Sequence, residues 1–183
     1  MNYISTRNNL KNFTSEQVLK YGLAPDGGLF IPSEIPKFSI DDIQNLKNAD
    51  YQEIAYFILS PFLRDLFSAE EIKQLISSAY QNFDEGIVSI TKLDENHLLN
   101  LFHGPTLAFK DYAMCLLAKI YELYLKKNNQ KLAIVGATSG DTGSAAFHAF
   151  KGIENIDIFI LHPHNDTSIF QIKKMTTIGA SNE

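Results

Sequence analysis

The sequence predicts an α/β protein in two parts: a mostly helical N-terminal domain over residues 1–92, then the first part of a parallel-sheet βαβ domain over 93–183. Three observations predict it. Up to roughly Lys92, apolar residues recur at helical spacing behind capping-box patterns. Further on, short apolar runs alternate with amphipathic helical stretches, an order that implies a parallel sheet with helices packed on its faces. The composition is that of an ordinary globular chain, 45% hydrophobic and 20% charged over 183 residues, with 13 Phe and 8 Tyr to build a core.

Thr14-Ser-Glu-Gln17 opens a short helix that stops at Gly22. Ala24-Pro-Asp-Gly-Gly28 is a turn, because proline fixes φ and glycine accepts positive φ. Leu29-Phe-Ile-Pro32 is a short extended piece. Asp50 to Phe67 is helical through Tyr51, Ile54, Ala55, Ile58 and Phe62, with a kink or break expected at Pro61. Ser68-Ala-Glu-Glu71 caps the next helix, whose apolar face holds Ile72, Leu75, Ile76, Ala79, Tyr80 and Phe83; Asp84-Glu-Gly86 closes it.

The period then changes. Ile87–Ile90 and His97–Phe102 read as strands, and Phe109–Lys127 as a long helix with Phe109, Ala113, Leu116, Leu117, Ile120 and Tyr124 on one face. Lys131–Val135 is a fully apolar strand, Asp141–Lys151 a helix ended by Gly152, Ile156–Leu161 another strand and Thr167–Thr177 a last helix. The three strands from His97 onward are expected in one parallel sheet.

A formal charge of −5 argues against a nucleic-acid partner, which needs a basic surface. Lys126-Lys127 sits at a helix end, where cations suit the dipole. One cysteine, Cys115, excludes an internal disulfide framework and fits a reducing compartment; within Ala113-Met-Cys-Leu-Leu117 it reads as a buried thiol. No apolar stretch reaches the ~20 residues that span a membrane, and Met1–Arg7 carries no signal-peptide core, so the expected location is cytoplasmic.

Two segments carry chemistry. In Leu101-Phe-His-Gly-Pro-Thr-Leu-Ala-Phe-Lys-Asp111, a strand and a tight Gly104-Pro105 turn deliver Lys110 to the start of a helix. Ligands of open α/β sheets bind at that strand edge, and the apolar Ala108 and Phe109 would lower a lysine pKa by desolvation, as Schiff-base formation requires. An early-helix lysine is otherwise a solvated surface residue. In Gly136-Ala-Thr-Ser-Gly-Asp-Thr-Gly-Ser-Ala-Ala146, glycines permit close approach, Thr138, Ser139 and Thr142 supply hydroxyls, and the helix start offers N–H groups to an anion. The spacing is neither a Walker loop nor a dinucleotide fingerprint, and the plain alternative is a βα turn capped by Ser139 or Asp141. His162-Pro-His164 has no third ligand nearby, so no metal is expected. His103 either lines the pocket or ends its strand.

Together the two segments resemble the threonine synthase family of fold-type II enzymes dependent on pyridoxal 5′-phosphate (PLP). His103–Asp111 is similar to its PLP-attachment motif and Gly136–Ala146 to its substrate loop. Tyr21–Pro32, Ile158–His164 and Lys174–Thr177 also resemble family strings. The resemblance implies that Lys110 holds PLP and shuttles protons. It implies that Thr138, Ser139, Gly140 and Thr142 hold the substrate α-carboxylate, and that Asp141 stands beside the PLP 3′-oxygen, where the wider group has asparagine. The implied reaction converts O-phosphohomoserine and water into threonine and phosphate. The family places its PLP-phosphate loop later, so this chain is expected to be about the first two-fifths of such an enzyme. The alternatives are another fold-type II lyase, such as a threonine dehydratase-like deaminase, and an inactive fragment; the Ala24–Gly28 signature argues against the dehydratase. No oligomeric state is implied.

Overall fold

The computed structural model describes residues 1–7, 11–84, 86–164 and 168–177, which form two compact units, Met1–Ile76 and Ser77–Glu183.

In the first unit, β1 (Asn2–Ser5) is the centre of a three-stranded antiparallel sheet between β2 (Lys11–Thr14) and β3 (Phe30–Pro32). Sequence reading found only the β3 segment. The other two strands are four residues each and rich in Asn, Ser, Lys and Thr, so they carry no apolar alternation to read. The Ala24–Gly28 turn is held by Asp26, whose carboxylate accepts from Ser5 Oγ at 2.7 Å and Gly28 N at 3.0 Å. The Ser5 hydrogen bond holds that carboxyl below its ordinary range. Any side chain at position 28 would meet Ser5 Oγ at 2.1 Å, which is why glycine stands there.

Helix α1 (Ser15–Tyr21) has the expected reciprocal cap, Gln17 N to Thr14 Oγ1 at 3.2 Å and Thr14 N to Gln17 Oε1 at 2.9 Å, and stops at Gly22 with φ 66°. A helix not foreseen, α2 (Ile40–Asn45), opens on the same device between Ser39 and Asp42. Helix α3 (Tyr51–Leu63) runs through Pro61 without breaking. Proline removes one backbone donor, and here the helix ends within a turn of it, so little of the ladder depends on that bond. Helix α4 (Ala69–Tyr80) is capped by Ser68 and Glu71 and buries Ile72, Leu75, Ile76, Ala79 and Tyr80. Phe83 lies beyond its end.

The second unit corrects the expected sheet. Strands β4 (Ser89–Leu93) and β5 (Asn96–Asn100) pair with each other, antiparallel, from Ser89↔Asn100 to Leu93↔Asn96. The strand expected at His97–Phe102 therefore turns back on its neighbour and is not part of the parallel sheet. The cause is local: a two-residue Asp94-Glu95 loop, with Asp94 at φ 51°, closes a tight hairpin before any crossover can form. Helix α5 (Asp111–Asn128) follows, then β6 (Leu132–Ala137), α6 (Asp141–Phe150), β7 (Ile156–Leu161) and α7 (Ile169–Thr176). Thr167, the expected start of the last helix, lies outside the described residues; Ser168 caps it instead, accepting from Gln171 N.

Strands β6 and β7 are parallel, Leu132↔Ile156 through Ala137↔Leu161. Helix α6 packs on α5, β7 and α7. The core of this unit includes Ala118, Ile120, Tyr124, Leu125, Ala145, Ala146, Phe150, Ile153, Ile156 and Met175. The buried face of α5 keeps Ile120 and Tyr124 of the expected one but also takes in Asp111, Ala118 and Leu125, while Ala113 and Leu117 are exposed. Among the described residues, only one face of the strand pair is covered. Val135, Phe159 and Leu161 are 68%, 57% and 63% exposed on strands expected to be buried on both sides.

Candidate active site

The segment from Leu101 to Asp111 is organised by a carboxylate. Asp111, the first residue of α5, is fully buried; its two oxygens accept from Thr106 N at 2.8 Å and from Thr106 Oγ1 at 2.6 Å. Its negative charge also suits the positive end of the helix. The turn closes through Leu107 N to the Gly104 carbonyl and Asp111 N to the Ala108 carbonyl, each at 3.0 Å. Leu107 takes φ 60°, the left-handed geometry that lets the chain reverse within these few residues.

Lys110 occupies the N-cap position of α5 with no side-chain capping bond. Its side chain is half-buried, with the amine 3.9 Å from the centroid of the Phe109 ring. Phe109 itself is exposed and Ala108 is buried. No ion pair engages Lys110 among the described residues. The backbone that carries it is held by the Thr106–Asp111 hydrogen bonds.

His103 is buried and shares a 2.8 Å hydrogen bond with Ser89 Oγ through Nε2. Asn100 donates to the same Ser89 hydroxyl at 3.0 Å, so the histidine ties the lysine turn to the β4–β5 hairpin. Tyr112 reinforces the join by donating from its hydroxyl to the Ile87 carbonyl, while its own carbonyl accepts from Tyr80 Oη at 3.0 Å. Cys115, one turn along α5, is half-buried; burial, aided by the charge of Asp111, pushes its thiol up to about 11.

The second loop leaves β6 at Ala137. Thr138 N donates to the Leu161 carbonyl at 2.9 Å, and Thr138 Oγ1 accepts from Gly140 N and Gly143 N, both at 3.3 Å. Thr138 therefore shapes the loop and satisfies one of the opening amides of α6. This corrects the capping alternative: no side chain caps at Gly140, so neither Ser139 nor Asp141 does so. Ser139 and Asp141 are exposed, Thr142 is half-buried and Gly140 is buried.

Helix α7 brings the two segments together. Gln171, Lys174 and Met175 share one face of it, by their i, i+3, i+4 spacing. The Gln171 amide lies against Gly140, Met175 Sδ against Gly143, and Lys174 donates from Nζ to the Thr106 carbonyl. Sequence reasoning gave no role to Asp111, Thr106, Gln171 or Lys174. A Thr-x4-Asp spacing ending on the first helical residue was the available signal for the first pair; nothing local marks the second. His162 and His164 are exposed, and no group of three metal-binding side chains exists among the described residues.

A family profile described as the threonine synthase N terminus matches residues 2–80. Threonine synthase of Pseudomonas aeruginosa is 41% identical over 184 residues, covering all of this chain. The solved structure of PLP-bound threonine synthase from Brucella melitensis superposes on the whole chain with a TM-score of 0.93 at 42% identity. The chain is a homologue of the N-terminal portion of the threonine synthases. Yeast threonine synthase agrees, with a TM-score of 0.88 at 33% identity over 98% of this chain. The chain spans about two-fifths of these relatives: 39% of the Pseudomonas protein, 40% of the Brucella chain and 38% of the yeast chain.

Proposed function

We propose that this chain supplies the N-terminal portion of a threonine synthase, which converts O-phosphohomoserine and water into threonine and phosphate. In this reading residues 1–92 are the N-terminal domain and 93–183 the first part of the catalytic domain, working in the cytoplasm without nucleic acid. The observation that carries it is Lys110, an unpaired, half-buried amine on a turn locked by the buried Asp111 carboxylate. That arrangement fits PLP: a cofactor held through a Schiff base needs an accessible lysine on rigid backbone. PLP, when bound, supplies an electron sink for carbanion character at the substrate. Lys110 would hold it and, once released, would carry protons between substrate carbons. Ser139 and Thr142, with Gly140 and the opening amides of α6, would take the substrate carboxylate. Thr138 would act mainly by shaping that loop, its hydroxyl already receiving two backbone N–H groups. Asp141, exposed at the helix start, would stand beside the cofactor.

The test is chemical labelling. The chain is incubated with PLP, reduced with borohydride and mapped by peptide mass spectrometry. Label is expected on Lys110 and absent from Lys110→Ala. Label on Lys119 or Lys131 in place of Lys110 would refute the assignment.

A further inference from the structure

We propose that Thr106 is the keystone of a brace that fixes Lys110 and sets it in register with the Thr138–Gly143 loop through α7; this rests on the reading of Lys110 as the cofactor lysine. Three polar atoms of Thr106 are engaged at once. Its N–H and hydroxyl donate to the two oxygens of Asp111, and its carbonyl accepts from the Lys174 ammonium. All three bonds have a charged partner, and Thr106 and Asp111 are 5% and 0% exposed, conditions under which such bonds are strong and directional.

The Thr106–Asp111 bonds close a ring of six residues that contains Lys110. Asp111 is anchored as the first residue of a long helix, and Gly104 lies directly against its carboxylate. The lysine backbone is thereby fixed, leaving only side-chain torsions free. Both carboxylate oxygens are occupied by Thr106, so Asp111 is a positioning residue and not a proton carrier.

The other end of the brace is α7. Gln171 and Met175, four positions apart, abut Gly140 and Gly143, and Lys174 lies between them in sequence. At 1.5 Å per residue, the contacts to the lysine turn and to the substrate loop fall within about one helical turn of α7. A shift of α7 therefore moves both segments together.

The experiment compares Thr106→Val, Thr106→Ser and Lys174→Met with the parent chain. Asp111 is left intact because its replacement risks unfolding. The first readout is borohydride-trapped PLP at Lys110 relative to Lys119 and Lys131. The second is amide hydrogen exchange across 104–111 and 138–143. Thr106→Val and Lys174→Met should each lower selectivity for Lys110 about tenfold, the scale expected for one charge-assisted bond, while Thr106→Ser retains it. Lys174→Met should speed exchange in both segments. Parent-like labelling and exchange in Thr106→Val, or loosening of one segment alone in Lys174→Met, would overturn the brace. If the parent chain itself is not labelled at Lys110, the functional reading fails, and the exchange data still decide whether the brace exists.

Discussion

Gly104→Ala would set a methyl carbon 2.5 Å from Cβ and Oδ2 of Asp111 and 2.9 Å from Cγ. Those separations lie well inside van der Waals contact, so something must move. Asp111 cannot yield cheaply: it is fully buried, begins α5, and receives two hydrogen bonds from Thr106. Overpacking costs about 1–3 kcal/mol. Displacing the carboxylate far enough to lose one charged hydrogen bond adds about 1.5–3 kcal/mol. A total near 4 kcal/mol corresponds to a melting temperature roughly 8–16 °C lower for a chain of this size. Gly152→Ala is the matched control. Gly152 takes φ 76° with no atom within 4 Å of an added Cβ, so only backbone strain of roughly 1–2 kcal/mol applies, or about 2–8 °C. Thermal unfolding followed by far-UV circular dichroism compares the three proteins. A Gly104→Ala chain melting within about 3 °C of the parent, or no lower than Gly152→Ala, would refute the rigid Asp111 turn.

Cys115, with its thiol pushed up to about 11, should be alkylated slowly. At pH 8 the thiolate fraction is about 0.1%, against roughly 24% for an unperturbed thiol, so iodoacetamide should react on the order of 200-fold faster once urea unfolds the chain. Equal rates would contradict the burial. The same shift has a stability sign. Between about 8.5 and about 11 the unfolded chain releases the thiol proton first, so this contribution is lost as pH rises through that window, and chemical denaturation midpoints should fall there. The exposed Val135, Phe159 and Leu161 form an apolar sheet face that should drive self-association of the chain. Light scattering should drop when Val135 and Phe159 are both replaced by Lys; a parent chain that is already monodisperse and monomeric would count against this.

Local chemistry made much of the fold legible. Capping boxes at Thr14–Gln17 and Ser68–Glu71 satisfy helix-opening donors with residues three positions apart, so a short string specifies each. Apolar runs located β6 and β7 within two residues. Helix α2 was missed although Ser39–Asp42 is a box of the same kind, whereas the missed strands lacked such a local mark. β1 and β2 are polar strands that exist because a sheet forms around them. The hairpin was hidden because a strand's sequence does not state its partner, and the two-residue turn at Asp94-Glu95 was the clue left unused.

The candidate site divides the same way. The sequence by itself determined that Lys110 begins a helix after a tight turn, and that a glycine-rich loop opens another, because turn and helix-start chemistry act over a few residues. Only the tertiary structure decided that Thr106 would be gripped from both sides and that Gln171, Lys174 and Met175 would span the two segments. Lys174 and Thr106 are 68 positions apart, and their meeting depends on how α6 packs against both α5 and α7. Contacts of that range are set by the summed packing of many side chains, and no short stretch of sequence records the sum.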